Sequence, residues 1–406
     1  MDLFKKLNDF ILTITSRNEN FWEQRQLGDI SEKRIEKNNS LSIDNILSNS
    51  AIYGIVKQTQ YFDKTIANNI QNYYVVHTND FIYNPRISNN APFGPISRNK
   101  LAESGVMSPL YLVFYFSKKS LSDFFEIYFK SSKWHNFMYM HGNSGARSDR
   151  FAIKDDEFFK MRVKIPHNKS EIDKIYRLNI LLNNLITLYD RKLKLLSQVK
   201  KYFLDNLFAE KEYPNLRFKG FTDAWEQRKL GTITDTYSGG TPQVSVKDYY
   251  SNNEIPFIRS SDIHKNKTEL YISSKGLENS SAKLVSKGHI LYALYGATSG
   301  EVDISKIDGA INQAVLCINA HNDLNYFLML FLSKNKDKIV RKYIQGGQGN
   351  LSASIIKKIK VFTTSELEET KISNLVKILS DIITLYENKQ QHLTEIKKEL
   401  LNTMFI

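Results

Sequence analysis

Ala224-Trp225-Glu226-Gln227-Arg228-Lys229-Leu230-Gly231 restates a stretch met 203 residues earlier, Phe21-Trp22-Glu23-Gln24-Arg25-Gln26-Leu27-Gly28. A second echo closes each half: Ile186-Thr187-Leu188-Tyr189-Asp190 returns 197 residues on as Ile383-Thr384-Leu385-Tyr386-Glu387. Two units with matching ends, each about half the chain, imply internal pseudo-symmetry. The text between the echoes hardly matches, so one frame carries two different fillings.

Ahead of each closing echo the pattern turns helical. Between Pro166 and Pro214 there is neither Gly nor Pro, and Ile172, Ile175, Asn179, Leu182, Ile186, Tyr189, Leu193, Leu196, Lys200, Phe203 and Leu207 alternate in steps of three and four. That is a coiled-coil seam rather than a broad globular face. A helix from about residue 171 to 208 would be on the order of 55 Å long. No Gly or Pro follows Gly349, and Glu369, Ile372, Val376, Leu379, Ile383, Tyr386, Gln390, Leu393, Lys397, Leu400 and Met404 keep the same register. Equivalent seams in one chain predict two helices packed on each other, antiparallel if a pseudo-twofold axis relates the halves. Asn179, Lys200, Gln390 and Lys397 interrupt the seams. They either fix register at some cost in stability or mark where another protein joins.

The regions before the helices are mixed. Short β-rich runs such as Tyr73–Val76, Leu110–Phe114, Ile290–Tyr295 and Ala314–Ile318 alternate with loops rich in Asn, Pro and Gly, and a helix is expected around Leu121–Lys130. The expected fold class is α+β, with two domains in a pseudo-symmetric repeat joined by two long helices in an antiparallel coiled coil.

The 406 residues carry a net charge of +13, an excess that favours a polyanion as partner. A sole cysteine, Cys317, excludes an internal disulfide and a cysteine-based metal cluster. No apolar run nears the roughly 18 residues of a membrane span, so no membrane association and a cytoplasmic location are expected.

A search for catalytic motifs finds none. There is no Walker A loop, no His-Glu-x-x-His and no Gly-x-Ser-x-Gly, and the eight histidines are scattered. Asn84-Pro85-Arg86-Ile87 lacks the second Pro and the aromatic residue with which an amino-methyltransferase loop holds a flipped base. Asp155-Asp156-Glu157 with Lys160 has the composition of a nuclease cluster but reads as a helix start. The expected catalytic and metal residues are none.

Binding candidates lie in the mixed regions. In the second half they are Gly239, Gly240 and Thr241 for close approach to phosphate, and Arg259 with Ser260 and Ser261. Tyr292, Tyr295, Thr298 and Ser299 sit at an expected strand end, and Gln345, Gln348 and Asn350 occupy an amide-rich loop. In the first half they are Asn84, Arg86, Arg98, Ser108, Tyr111, Asn143, Arg147 and Arg150. Singly each is as well explained by a turn or a solvated side chain; their matched placement in both halves is the stronger signal.

Several fragments resemble the specificity subunits of type I restriction–modification systems. They are Pro214–Phe221 leading into Trp225–Gly231, then Gly240-Thr241-Pro242, Ile255–Ile258, Tyr295–Gly300 with Asn312-Gln313, and Gly346–Ser352. Asp80–Asn84, Gly105–Pro109 and the run ending at Pro166 carry the likeness in the first half. The resemblance implies a non-catalytic reader of a split, asymmetric site in double-stranded DNA. Target-recognition domains would occupy 21–166 and 213–362, after a lead-in over 1–20. Long helices over 167–212 and 363–406 would set the gap between half-sites and dock two modification (methyltransferase) subunits, with restriction subunits completing the assembly. No cofactor is then expected on this chain; S-adenosylmethionine, ATP and magnesium belong to the partners. The rival readings are a single-chain nuclease or methyltransferase and a structural coiled-coil adaptor. Met1–Asn20 departs from the family pattern, with no counterpart of Pro214–Phe221, as an alternative start, a truncation or a recombined end would produce.

Overall fold

The computed structural model describes residues 22–61, 69–143, 149–322, 324–344 and 350–405. The lead-in over 1–20 and the candidates Arg147, Gln345 and Gln348 lie outside the described residues. The chain divides into two compact units, residues 1–190 with 388–406, and residues 191–387.

The seams fold as their spacing predicts. Lys169–Leu207 and Glu366–Thr403 are single helices of 39 and 38 residues. Every apolar seam position is buried or half-buried: Ile172, Ile175, Leu182, Ile186, Tyr189, Leu193, Leu196 and Phe203 on the first helix, and Ile372, Val376, Leu379, Ile383, Tyr386, Leu393 and Leu400 on the second. Asn179 is buried and satisfied within its own helix, donating to the Ile175 carbonyl at 3.2 Å. Gln390 donates to Asp190 at 2.6 Å. The helices do not form a separate module. Each unit holds the N-terminal part of one and the C-terminal part of the other, so within each unit the pairing is antiparallel.

In the first unit an antiparallel sheet runs Ser31–Lys33, Leu112–Phe116, Phe81–Tyr83, Ile96–Arg98. Helix Lys119–Tyr128 buries Phe124, Phe125 and Ile127 against it. Phe116 and Phe125 stack at 4.5 Å, the closest pair in an aromatic core that includes Phe81, Phe114 and Phe129. The strand opening on the first echo, Trp22–Gln26, pairs antiparallel with Arg162–Pro166, just ahead of the long helix. Trp22 then donates its indole N–H to Glu171 of that helix at 3.1 Å.

The second unit repeats the frame. Glu226–Lys229 pairs with Lys360–Thr363 ahead of the second long helix. Its main sheet runs Thr234–Ser238, Val315–Ala320, Ile290–Ala293, Val302–Ile304. A further sheet, Tyr271–Ile272, Tyr250–Ile258, Gly309–Ile311, Lys283–Val285, includes one parallel pairing.

At the start of the second long helix two carboxylates are buried side by side. Arg217 donates two bonds of 2.8 Å to Glu368. Glu369, 4% exposed, accepts only a backbone N–H, from Thr364 at 2.9 Å. Burial, reinforced by Glu368 and Glu366 and opposed by that bond and by Arg228, pushes the Glu369 carboxyl up to about 7. A carboxyl raised in the folded state stabilises fully below its ordinary pKa, and this contribution is lost as pH rises through about 7. Glu369→Gln is therefore expected to raise stability at pH 8 by about 2–3 kcal/mol while changing little at pH 5, as read from urea denaturation midpoints.

Candidate nucleic-acid interface

In the second unit three stretches with candidate residues are tied together by charge. The first is the turn Arg259–Lys265. Asp262, whose side chain is 1% exposed, accepts from Arg259 Nε at 3.2 Å and from Lys265 at 2.8 Å. Burial works against its charge, yet these bonds hold its carboxyl below the ordinary carboxylate range. Arg259 uses Nε for this and keeps a side chain 42% exposed, beside Ser260 and the exposed Ser261. The second stretch is Tyr295–Gly300, a turn with left-handed glycines at both ends of its tip, Gly296 and Gly300, each at φ +84°. Ser299 is bonded back to the Leu294 carbonyl at 3.2 Å and Thr298 is half-buried. The third is helix Lys336–Ile344, which leads towards the exposed Asn350; that residue bridges to Tyr295.

Glu301 and His264 join the three. The imidazole of His264 lies between two carboxylates, Nε2 to Glu301 at 3.2 Å and Nδ1 to Asp303 at 3.1 Å. The His264 carbonyl accepts from Lys306 at 2.6 Å. Glu301 also pairs with Lys336 at the helix start. That bond to Lys336, opposed by partial burial and aided by His264, holds the Glu301 carboxyl below its ordinary value. Composition gave no sign of this network, since its members lie 37 and 35 residues apart along the chain.

Other second-unit candidates are structural. A Cβ on Gly239 would fall 1.8 Å from the Ile311 carbonyl oxygen, and one on Gly240 2.5 Å from Ser281 Cβ. The space a side chain would take at these glycines is filled by protein, so close packing accounts for both of them. Tyr292 is fully buried in the core, its hydroxyl without a partner, and burial pushes its phenol well up. It belongs to a run of four buried residues, Ile290–Ala293, that pairs on both sides in mid-sheet. Thr241 is exposed and donates to Gln313 at 2.7 Å.

In the first unit Arg86, Asn143 and Arg150 are brought together. Arg86 bridges to Arg150 and Asn143 to Ala152, and Ile87 and Phe151 bond across to Asp149 and Pro85. Arg86 keeps a side chain 65% exposed, 4.0 Å from Asp149. Asn84 is buried at the base of this turn, donating to the Asn49 carbonyl and accepting from the Arg86 N–H, both at 2.9 Å. Arg98 is a core residue. Its guanidinium, 5% exposed, is shared among Asp123 at 2.7 Å, Glu126 at 3.2 Å and Asn79 at 2.6 Å, leaving it no face for a base. Ser108 caps a turn and Tyr111 rests against a small core around Val76 and Ile82. Asp155, Asp156 and Glu157 form the first turn of a short helix, where Asp155 pairs with Lys33 and Glu157 with Lys160. Among the described residues no His, Cys, Asp and Glu cluster is arranged to hold a metal ion, and no helix is long and apolar enough to cross a membrane.

Two α+β units, each including part of both long helices and each with exposed basic and amide residues on its turns, define the class: a two-unit α+β protein with a repeated frame. The fold is that of solved specificity subunits. The crystal structure of the type I restriction–modification S subunit from M. genitalium superposes with a TM-score of 0.60 at 12% identity, covering 96% of this chain and 97% of that one. Residues 222–398 match the type I restriction modification DNA specificity domain. Curated relatives include the MjaIX specificity subunit of Methanocaldococcus jannaschii, 27% identical over 192 residues, and the HindI specificity subunit of Haemophilus influenzae, 29% identical over 190. These matches cover 45% and 44% of this chain and only 44% and 40% of the relatives' own length. Residues 222–398 thus resemble a type I specificity domain, and the whole chain shares the fold of solved specificity subunits.

Glu301→Gln should loosen the joined turns without unfolding the unit. Amide hydrogen exchange in Arg259–Lys265 and Gly296–Gly300 is expected to rise by about tenfold, with the first unit unchanged.

Proposed function

We propose that this chain is the non-catalytic, sequence-reading subunit of a type I restriction–modification assembly, and that it recognises a bipartite, asymmetric site in double-stranded DNA. The observation that carries this reading is the specificity domain over residues 222–398, set in a frame that the chain builds twice with different turns. One frame fixes where each unit meets DNA, while unlike turns make the half-sites unlike. Arg86, Asn143 and Arg150 in the first unit, and Arg259, Ser260, Ser261, Tyr295, Thr298, Ser299 and Asn350 in the second, remain the contact candidates, together with Thr241. Arg147, Gln345 and Gln348 keep that standing on sequence grounds alone. Methyl transfer and cleavage belong to partner subunits, which supply S-adenosylmethionine, ATP and magnesium, and the target base is flipped into a partner's pocket. A cytoplasmic location follows from this role.

The docking face for the modification subunits is an apolar stripe on the outside of the first long helix. Leu181, Leu188, Leu195 and Tyr202 recur every seven residues and are 46–60% exposed. Ile378 and Leu385, also seven apart, are 57% and 50% exposed on the second helix. A heptad stripe left in water is the half-interface of a helix bundle completed by another chain.

Two experiments test this. Co-expression with the candidate modification subunit in a methylation-free host, followed by genome-wide mapping of methylated bases, is expected to give a single split motif that requires this chain. A stable complex with no methylated motif would contradict the reading. Leu188→Glu with Leu195→Glu is expected to abolish co-purification with the modification subunit while leaving the melting temperature within a few degrees of wild type.

A further inference from the structure

Between residues 334 and 360 the chain carries eight basic residues and one acidic one, Asp337. Five of the lysines converge on one cleft of about 330 Å³ in the second unit: Lys334, Lys338, Lys342, Lys358 and Lys360. The first three come from the helical stretch before residue 345, and the other two follow Asn350. They are therefore the stems on either side of the amide-rich segment singled out from sequence.

The lysines are not neutralised. Among the described residues none of the five has a carboxylate within 4 Å; Lys334 donates only to the Asp205 backbone carbonyl, at 3.4 Å. Burial, despite Glu210 and Asp205 nearby, pushes the Lys334 ammonium below the ordinary lysine value. Holding five ammonium groups around one cleft costs repulsion that an internal carboxylate would have relieved, as Glu126 does for Lys100 and Lys130 in the first unit. Glu210 is the acidic residue in the lining of this cleft, and Asp205 and Asp337 lie beside the same lysines in the adjoining hollow with Arg341. With none of these carboxylates within 4 Å of the five lysines, the cluster keeps a positive excess that an external polyanion would relieve.

Spacing favours duplex DNA. Lys338 and Lys342 lie one turn apart on helix Lys336–Ile344, about 6 Å of rise, and Lys334 ends the helix before it, Asn325–Lys334. One strand of duplex offers a phosphate about every 3.4 Å of axis, so Lys338 and Lys342 alone span about two of them. Lysine ammonium groups, as point charges on flexible stems, hold a backbone without reading bases.

We propose that the Lys334–Lys338–Lys342 row with Lys358 and Lys360 is a phosphate track, which grips the DNA backbone beside the second half-site and adds affinity without sequence preference. The assignment rests on the specificity-subunit reading above. The test uses the full chain assembled with its modification subunit and two duplexes, one bearing the methylated motif and one scrambled, titrated from 50 to 300 mM salt. In Lys338→Ala/Lys342→Ala/Lys360→Ala the slope of log affinity against log salt is expected to fall by about 2–3, since each phosphate contact contributes about 0.9. Both duplexes should weaken alike, the methylated motif should not change, and the matching triple Arg variant should restore the slope. Coincident slopes for wild type and the Ala variant would overturn the track. So would loss of assembly with an unchanged slope, because it would assign the lysines to a protein partner. Wild type that fails to distinguish the two duplexes would instead sink the specificity reading itself.

Discussion

Leu393, Ile396, Leu400, Met404 and Phe405, at the end of the chain, are buried against Ile172, Ile175, Leu178 and Leu182 from its middle and against the aromatic core of the first unit. Phe405 lies 5.4 Å from Phe124 and 5.3 Å from Tyr128, edge to face in both cases. The first unit thus has no complete core until the second half has been made and its helix has come back. The second unit has the converse dependence, closing on Leu207 at the end of the first helix and on Phe208 just after it, beside Ile372 and Val376 of the second. Heptad packing does more here than join two domains: each core includes a strip of seam, so register along the helices and the integrity of both units are one constraint. A buried Ile or Leu truncated to Ala typically costs about 2–5 kcal/mol, and at Ile175 that loss falls on seam and domain core together.

The two halves solve the same joint differently. In the first, the indole of Trp22 bonds Glu171 at the start of the long helix. In the second, the corresponding carboxylate, Glu368, is taken by Arg217 from a segment for which the first half shows no sequence counterpart, and the buried indole N–H of Trp225 is left without a partner. An unpaired buried N–H and a buried Glu369 with a raised pKa both destabilise. Both sit where strand meets helix within the second unit. Arg217, bidentate and 14% exposed, offsets part of that cost by clamping the joint.

What could be read from sequence follows the range of the physics involved. Seam positions were legible because a 3.5-residue period is local: whether Leu182 or Val376 is buried depends on its neighbours at three and four residues. Strand pairs bracketing each unit were foreshadowed by the Trp-Glu-Gln-Arg echo. Site residues were much less legible, because whether an Arg or Tyr is exposed depends on partners far away. Arg98 has the chemistry of a guanine reader, but Asp123 and Glu126, 25 and 28 residues on, claim it. Tyr292 stood at an expected strand end and lies inside the sheet. Gly239 and Gly240 offered room that Ile311 and Ser281 already occupy. His264, one of eight scattered histidines, bonds Glu301 and Asp303, through which its turn is tied to the helix start at Lys336; those partners come from a sheet edge that no local pattern links to it.

Carboxylates are distributed unevenly between the two kinds of cation. Arg25, Arg34, Arg98, Arg217, Arg228 and Arg259 each face an internal Asp or Glu, two of them inside cores or joints. A bidentate, permanently charged group suits that structural work, and an arginine held through several donors, such as Arg98 or Arg217, is a poor base reader; Arg259 differs, since only its Nε is used and its side chain stays 42% exposed. The unneutralised part of the +13 therefore falls largely on lysines, with Arg86 and Arg150 among the few arginines presented at an exposed turn. Lysine-borne charge attracts a polyanion strongly, gives little discrimination and weakens with salt. On the reading proposed above, discrimination would depend on a small number of rigidly held donors. The His264–Glu301–Lys336 network ties together the turns that carry Arg259, Ser261 and Thr298, and the lysines on the neighbouring stems would supply the grip. Affinity and selectivity would then rest on different side chains within a single unit, so one could change without the other.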